Sequence, residues 1–168
     1  MRDYITRQVQ ELVRRRGTRD PFSLCRQLDL LLLYHPLGPK LKGYFFYQSR
    51  VGVVVINQEL DEELQRVVCA HELGHALLHR DLAAGNALRE FTLFSQTARP
   101  ELEANYFAAE LLIPDEEALP LLEECPVEEA ACRLCVPPPL LDLKVRLLEK
   151  KGFALHPALG ARGDFLKS

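Results

Sequence analysis

The stretch that most constrains this chain runs from Asp61 to Asp81, DEELQRVVCAHELGHALLHRD. Asp61 is a helix-capping residue, and the helix it opens reads through to about His79. Leu64, Val67, Val68 and Leu78 form its inner stripe. His71 and His75 fall on that same stripe, one turn apart and about 6 Å from each other along the axis. A soluble helix therefore turns two imidazoles toward the interior. Two buried rings without partners cost free energy, so the fold must bring something to them. A shared Zn²⁺ ion meets that need, because zinc takes imidazole nitrogen at about 2.0–2.1 Å. Core histidines satisfied by backbone carbonyls are the plainer alternative.

Glu72 completes the pattern HExxH. It lies round the helix from both histidines, near a shared ion but not aimed straight at it, which is the place of a general base acting on a metal-activated water. His79 extends the series, but it lies about 12 Å along the axis from His71, too far to share one ion. Position ten after His71 is Asp81, so the longer HExxHxxGxxH pattern is absent as well. His79 is expected to be structural or to support a ligand from behind. A third ligand must then come from elsewhere, and ELEANYFAAELLIP offers Glu101, Glu103 and Glu110. At 100° per residue, Glu101, Asn105, Ala108 and Leu112 share a face, and small Ala108 would admit a close neighbour. Glu103, Phe107 and Leu111 make a second inward-capable stripe. Periodicity leaves both open, with Glu101 favoured. Asn105, one turn on, would orient His71 or His75 through its other ring nitrogen.

The rest of the chain frames these two helices. Residues 3–16 read as a helix closed by Gly17, and Asp20-Pro21 opens a short second one. LLLLYHPL, KGYFFYQ and RVGVVVIN read as strands separated by turn signals, giving a small, mostly antiparallel sheet. Residues 81–99 read as loop with a short strand at FTLF. A helix from about Pro100 ends before Pro114. DEEALPLLEE, VEEAACRLC and LLDLKVRLLEKKGF then form a helical tail. The expected fold class is α+β, with residues 1–120 carrying the histidine helix and the glutamate helix. Residues 121–168 form the tail, packed on the rest.

At 168 residues, 48% of them hydrophobic, the chain can bury a core without disulfides. Five cysteines and no apolar leader segment suggest reduced thiols in the cytoplasm. Cys125, Cys132 and Cys135 resemble part of a zinc or redox site, but three cysteines fall short of a closed tetrahedral set, and packing is the expected role. No stretch is long enough to span a membrane. The net charge of −3 argues against nucleic-acid binding by charge alone. Between Glu101 and Glu129 stand ten acidic residues and no Lys or Arg. This stretch is read as solvated helix faces, or as a surface that draws in a basic partner and makes the rate salt-dependent.

HELGHALLH followed by ELEANYFAAELLIP resembles the ImmA/IrrE family of metallo-endopeptidases, and so does the approach VGVVVINQELDEELQRVVCA. The resemblance extends over roughly residues 20–155. It implies a zincin-like fold, His71, His75 and Glu101 as metal ligands, and Glu72 as base. It also implies limited cleavage of a helix–turn–helix repressor as the activity. Asn105 stands where related gluzincins have Asp. The tail resembles the family's helix–turn–helix-like segment, with Val136-Pro137 where Val-Ser is usual. Zn²⁺ is the expected cofactor, with Mn²⁺ and Fe²⁺ open because site affinity does not fix the metal. Tyr44, Tyr47, Tyr106 and His156 are candidates to stabilise the oxyanion, each with packing as the plainer role. The competing class is a DNA- or protein-binding regulator with a vestigial or structural metal. In it Lys144, Arg146, Lys150 and Lys151 would face DNA. A monomer or weak oligomer is expected.

Overall fold

The structure is a computed structural model that describes residues 1–80, 88–90 and 99–155. Helix α1 (Arg2–Arg16) ends at Gly17, whose φ of 71° is the left-handed conformation that suits glycine. Helix α2 (Pro21–Gln27) starts where Asp20 accepts a hydrogen bond from the Ser23 N–H at 2.8 Å. Strands β1 (Leu31–His35), β2 (Gly43–Gln48) and β3 (Val51–Asn57) follow. Helix α3 (Glu62–Leu78) is capped by Asp61, whose carboxylate accepts from the Leu64 N–H at 2.8 Å. Then come β4 (Leu88–Glu90), α4 (Arg99–Leu112), α5 (Asp115–Glu124), α6 (Val127–Arg133) and α7 (Pro138–Lys150).

The architecture is α+β. The sheet order is β1-β3-β2-β4. β3 runs parallel to β1 and antiparallel to β2, and β2 runs antiparallel to β4, so two of the three pairings are antiparallel. β4 falls in a stretch whose sequence reads as loop; the strand expected at residues 91–94 lies outside the described residues. The β2–β3 hairpin turns through Ser49 and Arg50, both at positive φ, as a two-residue turn matched to strand twist requires.

One face of the sheet packs on α3. Phe45, Val54 and Ile56 share that face and join the core with Val67, Val68 and Leu73. β2 presses so close that a Cβ at Gly43 would stand 2.5 Å from Val68 Cγ1 and 2.9 Å from the Val55 carbonyl oxygen. Nothing larger than glycine fits there without displacing backbone. On another side α4 lies against α3, where a Cβ at Gly74 would meet Ala104 Cα and Phe107 Cβ at 3.2 Å each. With α2 against it as well, α3 is buried all round from Val67 to Ala76. The expected stripe was too narrow for this reason, and its ends, Leu64 and Leu78, are only half-buried.

Helix α7 lies against α4, with Leu140, Leu143 and Leu147 in the common core. Lys144, fully buried on the same helix, places Nζ 2.7 Å from Glu110 and 2.5 Å from Asp115. Lys151 reaches the same two carboxylates at 2.8 and 2.7 Å. Two of the four cations considered for DNA are thus turned inward onto acidic partners. Cys125 is buried and its thiol donates to the Leu121 carbonyl, but Cys132 and Cys135 are exposed, which corrects the packing expectation for that pair. No helix among the described residues is long and apolar enough to cross a membrane.

Candidate metal centre

The site forms where α3 and α4 meet. His71 and His75 lie in the buried centre of α3, with their Nε2 atoms 3.0 Å apart. Glu101, in the first turn of α4, brings one carboxylate oxygen to 3.3 Å from His71 Nε2 and the other to 3.4 Å from His75 Nε2. Among the described residues, His71, His75 and Glu101 are the group of side chains whose donor atoms converge as for an ion, all within 4.8 Å of one another. A tetrahedral ion with bonds of about 2.0–2.1 Å holds its ligand atoms roughly 3.3 Å apart. The observed spacings match that size, and two imidazoles with a carboxylate are a donor set that zinc accepts.

Protonation agrees with the geometry. His71 Nδ1 lies 2.9 Å from Asn105 Oδ1. An amide oxygen only accepts, so Nδ1 carries the hydrogen and the Nε2 lone pair is turned to the site. Burial pulls the His75 imidazole down to about 4, with the Glu101 carboxylate opposing, so this ring is neutral at physiological pH. A neutral imidazole is the form that binds a metal.

Gly74 sets the approach of the two helices. The close contact at Gly74 is to Ala104 and Phe107; Ala108, the small residue of the helical wheel, is buried in the core. Glu103 lies 3.0 Å from His79 Nε2 and accepts from Arg99 Nε at 2.8 Å. Burial acts to raise its carboxyl, but the hydrogen bonds from His79 and Arg99 prevail and hold it below the ordinary value. This His79–Glu103–Arg99 connection is what sequence reasoning missed. Its signal was two four-residue spacings, His75 to His79 and Arg99 to Glu103.

Glu72 is fully buried on the side of α3 that faces β2, its Oε1 3.5 Å from where a Cβ of Gly43 would lie. The oxyanion candidates fare differently. Tyr106 is buried, with the Arg2 guanidinium 4.9 Å from its ring centre, and Tyr47 stacks under and hydrogen-bonds Arg80. Tyr44 stacks with Phe46, the two alternating with Gly43 and Phe45, so it points away from α3. His156 lies outside the described residues.

Residues 25–132 match the model of the IrrE N-terminal-like domain, a peptidase family, over a span that holds every residue of this site. The chain belongs to the ImmA/IrrE family of metallopeptidases. It is 38% identical to "Uncharacterized immunity region protein 2" of Bacillus phage phi105 over 107 residues, which cover 64% of this chain and 66% of that protein. It is 28% identical to "Metallopeptidase ImmA" of Bacillus subtilis (strain 168) over 146 residues, 84% of this chain and 83% of that protein. The second alignment is long enough to take in part of the tail beyond the ImmA/IrrE model match.

Proposed function

We propose that this chain is a zinc-dependent endopeptidase of the ImmA/IrrE family that makes limited cleavages in a helix–turn–helix transcriptional repressor. The observation that carries this reading is the convergence of two buried imidazole nitrogens and the Glu101 carboxylate at ligand spacing. His71, His75 and Glu101 would hold the ion, and Asn105 would fix the ring of His71. When bound, the ion would polarise the substrate carbonyl and acidify water in its open position. Glu72 would accept the proton of that water and pass it to the leaving amine. Its burial between α3 and β2 would shield this proton transfer from bulk solvent.

The repressor substrate rests on the family resemblance and on the name of the phage relative, an immunity-region protein. The exposed glutamates of α5 and α6 that no arginine among the described residues is shown to neutralise (Glu116, Glu117, Glu123 and Glu128) would attract a basic partner, while Glu124 and Glu129 pair with Arg133.

The test pairs metal analysis with cleavage of a purified helix–turn–helix repressor. Glu72→Gln should retain the metal and lose cleavage. Undiminished cleavage by that variant would remove Glu72 as base. A parent protein that carries no divalent metal, and cleaves equally well in a strong chelator, would end the metallopeptidase reading.

A further inference from the structure

HExxH gives His79 no task, yet it is buried at 6% exposure behind the second histidine. Its Nδ1 lies 3.1 Å from Nδ1 of His75, and its Nε2 lies 3.0 Å from Oε2 of Glu103. The far oxygen of Glu103 accepts from Arg99. With both rings neutral, these contacts have one consistent placement of the hydrogens. A carboxylate only accepts, so His79 Nε2 donates to Glu103. In the neutral form of His79 this is its single N–H, which leaves Nδ1 as an acceptor. The hydrogen between the two Nδ1 atoms therefore belongs to His75. The Nε2 of His75 is left with its lone pair, directed at His71 Nε2 and Glu101.

We propose that His79 and Glu103 are positioning residues that lock His75 in its Nδ1–H tautomer and aim Nε2 at the metal centre through a chain of two hydrogen bonds. The usual device is a carboxylate or carbonyl placed directly on the ligand histidine. Here a second imidazole stands between, and the negative charge lies one ring further out. His71 differs, because its orienting partner is the neutral amide of Asn105. The two imidazoles of one site are thus supported unequally. His75, polarised by an anion behind it, is the stronger electron donor. Glu103, which periodicity left open as a ligand, acts on the centre from behind His75.

The use of this chain rests on the metallopeptidase reading, but its existence does not, and the experiment separates the two. Imidazole ¹⁵N–¹H correlation spectra of the metal-free protein report the tautomer of His75, and competition with a chromogenic chelator reports zinc affinity. The parent should show the Nδ1–H form. His79→Leu, which removes the acceptor, should give mixed His75 tautomers and a zinc affinity lower by about 10–100-fold. His79→Asn places an amide oxygen near the position of Nδ1 and should restore both. Glu103→Ala, a less buried change, should loosen the tautomer in the same direction. A parent His75 protonated on Nε2, or a His79→Leu variant with parental tautomer and affinity, would overturn the proposal. A parent that binds no zinc but shows the Nδ1–H form would end the metallopeptidase reading and leave the hydrogen-bond chain standing.

Discussion

Helix α4 carries a buried polar cluster at each end, and the two are built on opposite terms. Near its C-terminus, Glu110 and Asp115 face Lys144 and Lys151, two anions against two cations, with every charge matched inside the chain. Near its N-terminus, Glu101 faces the Nε2 atoms of His71 and His75, three electron-pair donors converging within ligand spacing. Both clusters join α4 to another helix, α7 in the first case and α3 in the second. The first needs nothing from outside. The second is an arrangement that a cation would complete. A buried polar cluster whose charges balance is a structural joint, and one that gathers donors around a centre is a place for chemistry.

The contrast breaks first at Lys144. Removing one partner of a buried pair leaves the others desolvated and costs about 3–5 kcal/mol. Lys144→Ala should therefore lower the denaturation midpoint sharply while the folded fraction keeps parental metal affinity. Equal loss of affinity would show that the two ends of α4 are coupled. Glu101→Ala should do the reverse. The metal-free protein should be about as stable as the parent, but the stabilisation a metal brings, about 2.7–4.1 kcal/mol at 100–1,000 times its dissociation constant, should vanish. Thermal melts with and without zinc measure this, and a full zinc-induced rise in the variant would refute Glu101 as a ligand.

Acid should separate the two clusters by pH window in metal-free protein. His75 is held near 4 by burial, against an ordinary 6.5. The unfolded chain takes up that proton first, so stability should fall as pH drops from about 6.5 to about 4, by roughly 3 kcal/mol at 1.36 per unit. Asp115 responds lower down. Burial raises its carboxyl, but the hydrogen bonds from Lys144 and Lys151 outweigh burial and hold it below the ordinary 3.8. Its contribution is complete above that value and is lost as pH falls through the depressed one. For Lys151, burial acts downward, and its bonds to Asp115 and Glu110 prevail to raise it. That contribution is present below the ordinary 10.5 and is lost as pH rises through the raised value. Denaturant midpoints of the metal-free protein from about pH 2 to about pH 12 check the order. A flat profile between pH 7 and pH 4 would contradict the buried, neutral His75.

The same contrast explains what the sequence made legible. Local devices were readable, because Asp20, Asp61 and Gly17 act within a few residues of themselves. HExxH is legible for that reason, since one helical turn sets its spacing. Choosing between Glu101 and Glu103 was beyond periodicity, because both stripes of α4 meet polar partners, Glu101 the paired imidazoles and Glu103 His79. The strand at Leu88–Glu90 has no alternating pattern and exists through pairing with β2. Glu110 and Lys144 are 34 positions apart, so nothing local showed that part of the acidic stretch would turn inward to a cation. Cys132 and Cys135 misled because apolar positions at a helix end looked buried, whereas both face solvent.

The smallest change should be the most selective. Gly74→Ala gains about 0.8–1.0 kcal/mol of helix propensity. It also puts a Cβ 3.2 Å from Ala104 Cα and Phe107 Cβ, so α4 must give way by a few tenths of an ångström. These terms oppose each other, and metal-free stability should stay within about 1 kcal/mol of the parent. Metal–ligand distances tolerate only about ±0.2 Å, so the same small retreat of α4 draws Glu101 off the imidazoles. Zinc affinity should weaken although no ligand has been touched. The Lys144 cluster, bonded from within and lying at the other end of α4, should be indifferent to the shift. Chelator competition and denaturation on this variant measure the two clusters in one molecule. Parental zinc affinity would mean that the helix spacing at Gly74 does not set the geometry of the metal centre.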